Sequence, residues 1–119
     1  MGKVIGIVGA RSRDSEKDYL AVKAAFLVEF QPGDRIVSGG CALGGDRFAQ
    51  RLAKKFGATI TIHYPDWEGF GKGAAFVRNT DIADDADVLI ACVHPSREGG
   101  TEDTVKKALF RGKKVVVVD

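Results

Sequence analysis

The sequence predicts an α/β protein, a Rossmann-like doubly wound parallel sheet of about five strands with helices on both faces. Three observations predict it. Short β-branched runs recur along the 119 residues, and segments with apolar residues at helical spacing separate them. Each repeat has the length of a βαβ crossover, which demands parallel neighbours and cover on both faces. The 15 glycines gather at the ends of the apolar runs, where a backbone turns tightly or approaches a ligand. Right-handed crossovers then leave a doubly wound sheet as the simplest topology.

Val4 to Val8 reads as a buried strand ending in Gly9-Ala10-Arg11. Asp14 or Ser15 caps the next helix, which carries Tyr19, Leu20, Val22, Phe26, Leu27 and Phe30 and stops at Pro32-Gly33-Asp34. Arg35 to Ser38 is the second strand. Gly39 to Asp46 opens a second helix with Phe48, Ala49, Leu52, Ala53 and Phe56 on its apolar face, ended by Gly57. Ala58 to Tyr64 is the third strand, Trp67 to Gly73 a glycine-rich loop, and Ala74 to Asp85 a third helix. Val88 to Val93 is an unbroken apolar strand and Pro95 to Gly100 a loop. Thr101 to Phe110 is a fourth helix, and Lys114 to Asp119 the fifth strand.

A chain of this length is expected to form one domain over residues 1-119, burying roughly two-thirds of its unfolded surface. Eighteen Lys+Arg against sixteen Asp+Glu leave +2, too weak a bias to argue for nucleic acid or membrane by charge. The longest apolar runs fall far short of the ~20 residues of a membrane span. Two cysteines without metal-ligand spacing fit reduced thiols, and the N-terminal residues enter a strand without a signal-peptide layout. A cytoplasmic protein with no metal and no resident cofactor is expected.

In such a sheet, ligands bind beyond the carboxyl ends of the strands, near the switch in strand order. Those ends gather Gly9 with Arg11, then Ser38, Gly39 and Gly40, then Asp66 with Trp67, then His94. The Gly39–Asp46 turn, with Gly44 inside it, puts backbone N–H groups at a helix start, either to face an anion or to turn tightly. It matches neither a dinucleotide fingerprint nor a P-loop. Gly99-Gly100-Thr101 repeats the arrangement, although Thr101, Glu102 and Asp103 also suit a plain N-terminal cap with dipole-favouring acids. Lys72, Arg78 and Asn79 add cations and an amide nearby. Trp67 either stacks on a base or covers core residues. Arg78 either meets an anion or pairs with Asp81 one helical turn on. Cys92 reads as core.

In order, these motifs resemble the SLOG superfamily, which includes the DprA/Smf DNA-processing proteins and the LOG phosphoribohydrolases. They are most similar to its small single-domain YspA/YpsA-like branch. The residues that carry this are Val8 to Arg11, Val37 to Gly40 with Gly44 to Ala49, Tyr64 to Trp67, Gly71-Lys72 with Arg78-Asn79, Ala86 to Ala91, and Gly99 to Thr101 with Thr104. The resemblance implies a nucleotide or nucleotide-derived ligand held by the glycine turns, with Arg11, Asp46, Arg78 and Thr101 around it, in a homo-oligomer. LOG enzymes carry a G-G-x-G-T-x-x-E element whose acid assists cleavage of an N-glycosidic bond. This chain reads Gly99-Gly100-Thr101-Glu102-Asp103 and lacks the glycine between the pair and the threonine. Asp103, Glu102 or Asp46 would take the acidic role in a phosphoribohydrolase. A DprA-like reading implies single-stranded DNA as the alternative partner.

Overall fold

The computed structural model describes residues 2–119. Strands β1 (Val4–Gly9), β2 (Arg35–Gly39), β3 (Ile60–His63), β4 (Val88–Cys92) and β5 (Lys114–Val118) form one sheet in the order β3-β2-β1-β4-β5. Every pairing is parallel, with Ile5 beside Ile36 on one flank and beside Val88 on the other. The chain thus builds outward from β1 in one direction, then returns and builds in the other. This is the doubly wound α/β architecture expected from the sequence.

Helices α1 (Glu16–Glu29) and α2 (Gly45–Phe56) cover one face. There Ile5, Ile7, Ile36, Val88, Ile90 and Cys92 pack against Tyr19, Val22, Phe26, Phe48 and Leu52. The short α3 (Trp67–Phe70) is followed by α4 (Ala74–Asp85) and α5 (Gly100–Phe110). Helices α4 and α5 close the second face, where Val8, Val37, Leu89 and Ala91 meet Ile82, Ala83, Val105 and Ala108. Alternate residues of each strand serve opposite faces, which is why the strands read as continuous apolar runs. Phe26 and Phe48 are fully buried, each contributing roughly 1.5–3 kcal/mol by burial.

Ser15, not Asp14, caps α1, in a reciprocal arrangement with Asp18. Asp14 is used across the chain, accepting the Gly44 N–H at 2.7 Å and Arg47 Nε at 2.8 Å. The expected loop at Trp67–Gly73 is instead one helical turn and a 3-10 turn (Gly71–Gly73). Asp66 explains it, because its carboxylate accepts the Gly69 N–H at 3.0 Å and nucleates the turn. Thr101 is not the cap of α5. Gly99 holds that place, and the helix starts at Gly100. The aspartates that end α4 are engaged as well as exposed, with Asp85 on His63 and Asp84 on Arg111. No helix among the described residues is long and apolar enough to cross a membrane.

Candidate functional site

β1 is the strand where the order reverses, so the crossovers leaving β1 and β4 diverge and open a crevice at their carboxyl ends. A cavity of about 510 Å³ occupies it. Gly9 and Arg11 form one wall, Asp46 the floor beside α2, Arg78 and Asn79 the α4 wall, and Gly99, Gly100 and Thr101 the α5 wall. Eight residues marked by sequence as ligand-binding candidates are therefore brought together from four segments.

The two glycine turns differ in what they leave open. At the start of α2, Asp14 takes the Gly44 N–H, and Gly45 lies against the backbone of Val8 and Gly9 with no room for a Cβ. Asp46 is buried, facing the Ser38 hydroxyl through Oδ1 and accepting the Cys41 N–H through Oδ2, each at 3.0 Å. The Ser38 hydroxyl also donates to the Ile7 carbonyl. Ser38 and Gly39 thus form a layer beneath the cavity, with Gly39 against both Arg78 and Asp46. Gly40 packs on the Tyr64 ring. The chain itself thus takes up the Cys41 and Gly44 N–H groups of this turn, although no side chain caps α2.

In the α5 turn Gly99 has φ 99° with nothing within reach of a Cβ, and no side chain caps the helix. Gly99, Gly100 and Thr101 line the cavity at this helix start, where the helix dipole favours negative charge.

Cation placement is equally uneven. Of eight arginines, five are ion-paired, namely Arg13, Arg47, Arg51, Arg97 and Arg111. Among the described residues, Arg11 and Arg78 have no carboxylate in ion-pair reach, and both line the cavity. Arg78 does not pair with Asp81. Its Nε donates to Asn79 Oδ1 at 2.9 Å, which steers the rest of the guanidinium.

Asp103 and Glu102 point elsewhere. Asp103 Oδ2 accepts from Asn79 Nδ2 at 3.1 Å and from Lys107 Nζ at 2.8 Å, tying α5 to α4. Glu102 is buried and bonded to Arg97 Nε at 2.6 Å, with its other oxygen unpartnered. Neither lines the cavity. Trp67 is more than half exposed on α3 and covers no core. It, Asp66 and Lys72 lie outside the cavity walls.

Sequence reasoning missed Ala75 and Ile82 and named Thr104 only as part of the family motif, and all three line the cavity, as do Ser12 and His94. A signal was present, since 75, 78, 79 and 82 fall on one helical face, as do 100, 101 and 104. Glu98 and Cys41, also in the lining, carry no such spacing.

Fold and site define a doubly wound α/β protein with a polar cavity at its switch point. No family model matches the chain, and no curated protein matches it. Among solved structures it is similar to the molybdenum cofactor binding protein from the phototrophic bacterium Rippkaea orientalis. The TM-score is 0.73 and the identity 22%, over 98% of this chain and 76% of the other. Likeness at that identity shows the shared fold.

Proposed function

We propose that the chain binds a nucleotide or nucleotide-derived anion in the switch-point cavity, as a sensor or sequestering protein. One observation carries this reading, the presence of two arginines without carboxylate partners on the cavity wall beside an uncapped helix start. Leaving cations unpaired next to a positive dipole end is costly unless an anion completes the set. The phosphate would meet the Gly99–Thr101 turn with Arg11 and Arg78, and the buried Asp46 would accept from a hydroxyl of the ligand. The fold neighbour, named for binding a cofactor, supports a small molecule of this general kind.

Hydrolysis is the weaker reading. Counted from Thr101, the acidic place of the LOG element falls on Thr104, whose hydroxyl donates to the Gly100 carbonyl at 3.2 Å. That position offers no carboxylate to steady an oxocarbenium-like ribose. The test is calorimetric titration with nucleoside mono- and diphosphates, NAD, ADP-ribose, cyclic nucleotides and the molybdenum cofactor, with free base assayed in parallel. One member binding, and binding at least tenfold more weakly to Arg78→Ala, is the expected result. Base release would move the chain to the enzymes. Silence from every small molecule together with salt-sensitive binding of single-stranded DNA would replace the proposal.

A further inference from the structure

His94 and Glu98 line the cavity yet have no part in the anion cradle. Both belong to the loop between β4 and α5, on the two sides of a turn closed by the Arg97 N–H on the His94 carbonyl at 2.9 Å. Arg97 holds φ 57° there, a left-handed conformation that only glycine adopts freely. Its guanidinium donates to the buried Glu102 at 2.6 Å, a bond that offsets the strain and fixes the turn. The residue that follows the strained one is Glu98.

The neighbours of the pair decide what each can offer. Ser96 brings its backbone N–H to His94 Nδ1 at 3.0 Å, with its hydroxyl at 2.8 Å on the same nitrogen. A backbone N–H can only donate, so Nδ1 accepts and the neutral ring carries its proton on Nε2. His94 is thus left with an N–H for a ligand. Glu98 offers the opposite. Among the described residues its carboxylate has no cation in ion-pair reach, although Arg11 and Arg78 line the same cavity. Opposite charges that share a cavity without meeting suit a ligand that is anionic at one end and donates hydrogen bonds at the other.

We propose, resting on the nucleotide reading above, that His94 and Glu98 read the base and select guanine. Guanine presents an oxo acceptor beside two donors, its ring N–H and its amino group. His94 Nε2–H donates to the first, and the Glu98 carboxylate accepts from the other two. Adenine reverses the edge, setting an amino donor against the His94 N–H and a bare ring nitrogen against the carboxylate. Hypoxanthine keeps the oxo group and the ring N–H but lacks the amino donor.

Calorimetric titration of the wild-type chain, Glu98→Gln and Arg11→Ala with GMP, IMP and AMP tests this. The wild type is expected to bind GMP best, IMP about tenfold more weakly for the lost donor, and AMP weaker again by about tenfold or more. In Glu98→Gln the preference for GMP over AMP disappears, because an amide matches adenine's donor and acceptor as well as guanine's. Arg11→Ala weakens all three alike, which separates base reading from phosphate binding. A wild type that binds AMP as tightly as GMP overturns the proposal and leaves the nucleotide reading standing. So does a GMP preference that survives Glu98→Gln. A wild type that binds none of the three overturns both.

Discussion

Gly45 opens α2 and Gly99 is the N-cap of α5, and their surroundings differ sharply. Gly45 is the point at which α2 touches β1, so Gly45→Ala drives a methyl into the Val8–Gly9 backbone. We expect a loss of about 2 kcal/mol or more, read as a fall in Tm of roughly 8–16 °C at ~4–8 °C per kcal/mol. Arg11 and Arg78 are the cations assigned to the ligand in the proposed function. Arg11→Ala is expected to leave Tm within about 4 °C, since surface changes cost at most ~0.5 kcal/mol. The same substitution weakens anion binding by about tenfold or more, as loss of one charge-assisted bond implies. The two cysteines separate cleanly. Burial pushes the Cys92 thiol up, while Cys41 is half-buried in the cavity wall. A disulfide reagent at mildly alkaline pH should titrate one thiol in the folded protein and two in denaturant.

At the scale of elements, Asp103 is the informative residue. Its bonds to Asn79 and Lys107 fasten α5 against α4 and so set the angle of the Gly99–Thr101 turn. Asp103→Ala should cost about 1–2 kcal/mol of stability, measured by urea unfolding, and weaken ligand binding through that shift. A variant of wild-type stability that lost only turnover would instead make Asp103 a catalytic acid. The elements themselves were legible because burial and periodicity agree in them, as in β4 and in α2 with its Phe48, Ala49, Leu52 and Phe56 face. The α3 turn was not, because Glu68-Gly69-Phe70-Gly71 carries little helical propensity and forms on the strength of one aspartate cap. Gathering of the site was legible from the switch-point rule. The Asp14 acceptor on the Gly44 N–H was not, because it lies thirty residues away.

At the scale of the whole molecule, acidity is the controlling variable. Burial alone would raise the Asp34 carboxyl, but hydrogen bonds from Lys3 and the Gln31 amide outweigh it and hold the group below the usual aspartate range. The Gly44 amide, aided by Arg47, lowers Asp14 likewise. Near pH 4 the folded chain therefore binds fewer protons than the unfolded chain. The stability these groups contribute is complete above the ordinary aspartate value of about 3.9, declines as pH falls below it, and is gone once pH passes the folded values. Denaturation midpoints should thus drop on acidification from pH 5 to about 2.5, and Asp34→Asn should flatten that profile while lowering its plateau.

Because β1 lies between β2 and β4, the cavity belongs to neither half of the chain. Gly9 and Asp46 arrive with the first half, Arg78 and Gly99 with the second. A cut in the exposed Glu68–Lys72 segment would divide the walls between two polypeptides, each holding only part of the anion cradle. A ligand that bridges them would then act as the glue of reassembly, and the fold would serve as a split reporter whose signal rises with the concentration of the molecule it binds.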